Sequence, residues 1–189
     1  IDLQIHAGYP VKPWIRIDIV DPITRYRKDG TPFLWNPWSE LINANTVRVH
    51  KADIANATVV GDLASLCEGP EHGGQSHTIG IDFCNGGMEI RAVNIWAAPS
   101  MGIVEWGGEG ATILDHVTIS PGPLPPGAVE PRILAASHDG VMHVSVKNGP
   151  RVEHCVIEKC GDDAWSVQSS DYLILGATGN SIIFSPRYN

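Results

Sequence analysis

Over residues 79–189 the apolar positions fall in short alternating runs that recur along the chain. Three segments superpose directly: Ile90-Arg91-Ala92-Val93-Asn94-Ile95, Leu114-Asp115-His116-Val117-Thr118-Ile119 and Val152-Glu153-His154-Cys155-Val156-Ile157. Each leads into a second run: Gly102-Ile103-Val104-Glu105-Trp106, Gly140-Val141-Met142-His143-Val144 and Asp163-Ala164-Trp165-Ser166-Val167. Ile90 to Leu114 is 24 residues, and Leu114 to Val152 is 38, an excess of 14. The excess coincides with a Pro-rich stretch beginning at Pro121, which cannot serve as a ladder strand because proline donates no backbone hydrogen bond. It reads as a loop inserted at 121–134.

Short Val- and Ile-rich strands at this period, without long amphipathic helices, predict an all-β fold. The expected architecture is a right-handed parallel β-helix, a pectate-lyase-like solenoid. Each coil adds one rung to several parallel sheets, and rungs lie about 4.8 Å apart. A β-sandwich is the alternative, because Asn85-Gly86 and Asn148-Gly149 carry hairpin chemistry. The whole of 1–189 reads as one domain, with irregular N-terminal coils and loops over 1–78 and regular coils over 79–189. Within the first part Thr46-Val-Arg-Val and Ala57-Thr-Val-Val read as strands, 68–78 as a loop, and the tryptophans as packing residues. After Asp163 one further coil is expected, through Tyr172-Leu-Ile-Leu and Ser181-Ile-Ile-Phe. The stack then ends without an evident cap and the chain starts without Met, which suggests a piece of a longer protein.

Alternation also assigns directions. One parity (Val104, Trp106, Met142, Val144, Val146, Trp165, Val167) is expected in the core. The other (Met101, Ile103, Glu105, Asp139, Val141, His143, Asp162, Ala164, Ser166) is expected to face outward. On this alignment Met101, Asp139 and Asp162 share a column, with Asp163 beside Gly140. The result is a surface strip of acids, a histidine and a hydroxyl. Acids on adjacent rungs raise each other's cost of ionisation, so one should stay protonated longer than its neighbours. Each Asp-Gly taken alone reads as a turn; three acids gathered by an independent repeat read as chemistry. His116 and His154 form a second column, over Asp115 and Glu153, which reads as a structural ladder.

Composition narrows the function. A formal charge of -8 with scattered Lys and Arg excludes a phosphate-binding surface, so no nucleic acid partner is expected. No apolar run approaches the ~20 residues of a membrane span. Four cysteines lack metal-site spacing, and no metal or other cofactor is expected.

The text Ser137-His138-Asp139-Gly140-Val141, followed by Gly161-Asp162-Asp163-Ala164, resembles the catalytic signature of parallel β-helix glycoside hydrolases. It is similar to the Asn-Thr-Asp-Gly and Asp-Asp motifs of polygalacturonases (family 28). It is closer to the bacterial α-1,3-galactosidases (family 110), where an Asp-Gly rung leads to an Asp-Asp rung. The polygalacturonase Gly-His-Gly and Arg-X-Lys motifs have no counterpart in 164–189. The resemblance implies a secreted or periplasmic inverting hydrolase that needs no metal, with Asp139, Asp162 and Asp163 as catalytic acids.

The expectation is therefore a glycosidase acting on a galactose- or uronate-containing carbohydrate. Asp162 or Asp163 would donate the proton and Asp139 would act as base, with His143, Glu105, His138 and Ser166 contacting substrate. A polysaccharide lyase or epimerase is the alternative on the same scaffold, with Lys147, Arg151 or Lys159 supplying a cationic base. A non-catalytic adhesion or assembly module is the third reading.

Overall fold

The computed structural model describes residues 1–11, 16–32, 34–35, 38–51, 54, 56–67, 77–169 and 172–186. The strands, in chain order, begin with β1 (Asp2–Gln4), β2 (Arg16–Val20), β3 (Leu34–Trp35), β4 (Trp38–Asn43), β5 (Thr46–His50) and β6 (Leu63–Cys67). The repeat supplies β7 (Ile79–Asp82), β8 (Glu89–Arg91), β9 (Asn94–Ile95), β10 (Ile103–Trp106), β11 (Ile113–Asp115) and β12 (Thr118–Ile119). It continues with β13 (Val141–Val144), β14 (Arg151–Glu153), β15 (Val156–Ile157) and β16 (Trp165–Gln168). The last two strands are β17 (Tyr172–Thr178) and β18 (Ser181–Pro186).

The repeat builds a parallel β-helix. Sheet one stacks β16-β13-β10-β7, sheet two β14-β11-β8 and sheet three β15-β12-β9, and their neighbouring strands pair parallel. The corner between sheets two and three is the same on each coil, with Ala92, His116 and His154 all at φ 53°. Parallel bridges Ala98↔Ala136 and Ala136↔Cys160 resume the ladder, so the 14-residue excess lies between Ile119 and Ala136. That segment packs on the N-terminal part of the chain: the Tyr9 hydroxyl donates to the Glu130 carbonyl at 2.8 Å, and Arg25 Nη2 to the Pro131 carbonyl at 2.9 Å.

Inside the coils, Ile81, Ile95, Ile103, Leu114, Val117, Ile119 and Val141 form the core. This corrects the facing expected from alternation. Ile103, Glu105, Val141 and His143 point inward, whereas Trp106 is outside and 44% exposed. The apolar residues Val104, Met142 and Val144 lie on the outer face of sheet one, where they are buried in a separate cluster with Met101. Both faces of this sheet thus carry apolar side chains, and alternation could not tell them apart. Trp165 and Val167 do share the inward columns, but they sit on the edge strand of sheet one and are 47% and 59% exposed.

The ends depart from the expected coils. The described residues before 79 form two antiparallel sheets, β1-β5-β4 and β3-β2-β6, around a second core of Ile17, Ile19, Leu34, Val47, Val49 and Ile54. Side-chain turns reverse the chain there: Asp21 Oδ1 accepts from the Ile23 and Thr24 amides, and Asn43 Oδ1 from the Asn45 amide. Ala57-Thr-Val-Val is not a strand. Asp62 Oδ2 accepts from the Val59 amide in a turn, and the strand forms beyond it at β6. Most of the expected 68–78 loop (68–76) lies outside the described residues, as does Trp14. In place of a further coil, β17 and β18 form an antiparallel hairpin around Gly179-Asn180, with Gly179 at φ 58°.

Candidate active site

The acids meet at the corner that leads into sheet one. Backbone bonds run from Gly102 N to the Asp139 carbonyl at 3.1 Å and from Gly140 N to the Asp163 carbonyl at 2.9 Å. Met101, Asp139 and Asp163 therefore form the column, and Asp162 sits one residue before it. The expected alignment was off by one residue on this coil, since Val141 pairs with Trp165, a full 24-residue step. Close packing makes both motif glycines necessary. A Cβ on Gly140 would lie 2.4 Å from Ile157 Cγ2 and 2.7 Å from the Ala164 carbonyl oxygen. One on Gly161 would lie 2.3 Å from the Ser137 carbonyl oxygen.

The three acids differ in environment. Asp139 is 7% exposed, and Ser166 Oγ donates to its Oδ2 at 2.8 Å. Burial pushes the Asp139 carboxyl above its ordinary value; Ser166 opposes this, and the charges of Asp162 and Asp163 add to it. Asp162 and Asp163 are exposed. Their turn is strapped to the preceding coil by Gly161 N donating to the Ala136 carbonyl at 2.9 Å and the His138 carbonyl at 3.2 Å. His138 is half-buried, and burial, reinforced by the Arg16 charge, holds its imidazole below the usual value against the pull of Asp162.

Two expected site residues lie elsewhere. Glu105 and His143 are 1% and 0% exposed, inside the solenoid, where Glu105 Oε2 and His143 Nδ1 are 2.8 Å apart. Thr112 Oγ1 donates to Glu105 Oε1 at 2.7 Å. Facing the core, they are not part of an outer strip and do not line the acid site. Of the set Asp139, Asp162, Asp163, His138 and Ser166, the fold gathers all five at one corner.

The structure adds Arg16 and Asp18 of β2. Arg16 is fully buried, with Nε 3.0 Å from Asp18 Oδ2 and Nη2 donating to the Gly161 carbonyl at 2.7 Å. Burial pushes Asp18 up, Arg16 and then Arg27 oppose this, and Asp162 adds to it. Strand β2 thus delivers a fourth acid and a buried cation to the Asp162 turn. Its signal in the sequence is Arg16-Ile-Asp18, opposite charges two apart in an otherwise apolar strand. Beside them a cavity of about 260 Å³ is lined by Asp18 and Asp162 together with Arg25, Tyr26, Arg27 and Lys159. Lys159 Nζ sits 3.4 Å from the Tyr26 ring centroid. Burial first, then Asp139, pushes the neighbouring Cys160 thiol up to about 11, so it is not a nucleophile at neutral pH. The four cysteines are free thiols.

A larger groove of about 1470 Å³ is lined by β1, by β6 and by residues 130–134 of the inserted segment, and Ser137 also lines it. The class that fold and site define is a parallel β-helix with an acid cluster on one corner. No protein-family model matches the chain, and no curated protein matches it.

Proposed function

We infer that this corner hydrolyses a glycosidic bond in a galactose- or uronate-containing glycan. The observation that carries the reading is the inequality of the acids. Asp139 is buried and protonates easily, while Asp163 stands in solvent one rung away, with Asp162 beside it in the chain and also exposed. Glycoside hydrolysis needs that division, one carboxylic acid to protonate the leaving oxygen and one carboxylate to activate water or attack. Asp139 is then the proton donor and Asp162 or Asp163 the base, the reverse of the order the sequence suggested. Likeness of the Ser137–Val141 and Gly161–Ala164 motifs to the α-1,3-galactosidases supports the same chemistry and an extracellular or periplasmic place of action. The cations around the small cavity favour a substrate bearing a carboxylate.

Turnover of aryl α-galactosides and oligo-uronides by the chain and its Asp139→Asn, Asp162→Asn and Asp163→Asn variants tests this. Loss of the donor or base should lower kcat/KM by about 10²- to 10⁴-fold. Asp139→Asn should also remove the alkaline limb of the pH profile, which reports the protonated donor. Variants that match the wild type on every substrate would sink the reading.

One observation favours a lyase as second reading: Lys159 and two arginines line the cavity beside Asp162. An unsaturated uronide product, detected by its near-ultraviolet absorbance, would replace hydrolysis with β-elimination.

A further inference from the structure

At the corner between sheets two and three, away from the acid cluster, one carboxylate oxygen meets two imidazoles. Asp115 Oδ1 lies 2.7 Å from His116 Nδ1 and 3.0 Å from His154 Nδ1. Arg91 holds the other carboxylate oxygen, so Oδ1 stays turned toward the histidines. The two rings stack with centroids 4.7 Å apart.

The backbone makes this convergence. His116 and His154 occupy the same corner on successive coils, each one residue past a paired position of the Asp115↔Glu153 ladder. Ala92 takes the same φ on the preceding coil, so the corner itself does not require an imidazole. Both histidine side chains are 66% exposed, and exposed pairs of this kind contribute little to stability by themselves.

The three donor atoms lie within 4.8 Å of one another. Nitrogen and oxygen ligands about 2.0–2.2 Å from one ion stand roughly 3 Å apart, so small side-chain rotations convert the triad into a chelate. Two imidazoles and one carboxylate suit zinc and its neighbours, whereas calcium and magnesium require shells built of oxygen. The geometry points to a divalent transition-metal site of the zinc class at Asp115, His116 and His154, with Arg91 orienting the carboxylate. The ion replaces any protons on the two Nδ1 atoms, which pass to solvent, and water fills its remaining positions. Because the ligands come from two coils, the ion staples successive rungs. This site is independent of the glycosidase reading.

Calorimetric titration of Zn²⁺ into the chain and into its His116→Asn and His154→Asn variants tests the assignment. Asparagine tolerates positive φ, so the corner survives while the ligand is lost; circular dichroism checks that each variant is folded. One ion should bind per chain and raise Tm, and either variant should bind at least about 10-fold more weakly. Co²⁺ gives a readout that needs no variant: a visible ligand-field band without thiolate charge transfer. Absence of binding, binding unchanged in both variants, or a thiolate charge-transfer band placing the ion on cysteine would each overturn the proposal.

Discussion

His143 Nδ1 and Glu105 Oε2 lie 2.8 Å apart inside the solenoid, on adjacent rungs of one inward column. The same column carries Ile81 before them and Val167 after them. A buried pair of this kind is costly to break but not to replace. His143→Ile alone, which strands the Glu105 carboxylate, should destabilise by about 3 kcal/mol. Glu105→Ile with His143→Ile and Thr112→Val, which turns the network into an apolar ladder, should return to within ~1 kcal/mol of the wild type. Urea midpoints measure both; additive losses would show that the pair is not coupled.

Gly140→Ala places a methyl group 2.4 Å from Ile157 Cγ2 and against the Ala164 carbonyl. Overpacking between backbone rungs should cost about 2–3 kcal/mol. Gly80→Ala, in the same sheet with nothing among the described residues within 4 Å of the new Cβ, is the control and should stay within ~0.5 kcal/mol. Thermal melts of the two variants check the contrast.

Asp139 has a native pKa above its ordinary 3.8, raised chiefly by burial. Below 3.8 the acid is protonated in both folded and unfolded chains. As pH rises, the unfolded chain ionises first, so the wild type loses stability until pH passes the raised native value. Asp139→Asn keeps an acceptor for Ser166 and lacks this loss. Its stability relative to the wild type should therefore climb from acid toward neutral pH and then level off. Denaturation curves at several pH values decide it, and a flat difference would contradict the assignment.

Arg16 bridges Asp18 of its own strand and the Gly161 carbonyl of the solenoid. Arg16→Met removes the cation from a buried carboxylate and should cost about 3–5 kcal/mol. Faster amide exchange across Gly161–Asp163 should accompany the loss, because the turn loses its N-terminal clamp. Unaltered exchange there would mean that β2 does not hold the acid corner.

A solenoid writes each rung locally, so its period was legible. Ile90, Leu114 and Val152 pair as neighbours in sheet two, and the Pro-rich segment falls where the 38-residue step departs from 24. The acid corner was legible too, because Asp139 and the Asp162-Asp163 pair belong to consecutive coils. Arg16 and Asp18 were not, since 121 residues separate Asp18 from Asp139 and nothing repeats between them.

Facing and register belonged to the tertiary structure. Val104, Met142 and Val144 are as apolar as Ile103 and Val141, so a period of two fits either face of sheet one; only the core of Leu114, Val117 and Ile119 selects the inner one. That choice carried Glu105 and His143 inside, while Ser166 remained on Asp139. Asp163, not Asp162, entered the Asp139 column because the ladder preserves a full 24-residue step. Sequence alone determined the coil and its period, which follow from local alternation. Which side chains face solvent, and which strand brings Arg16 and Asp18 to the acid corner, depended on contacts between distant segments.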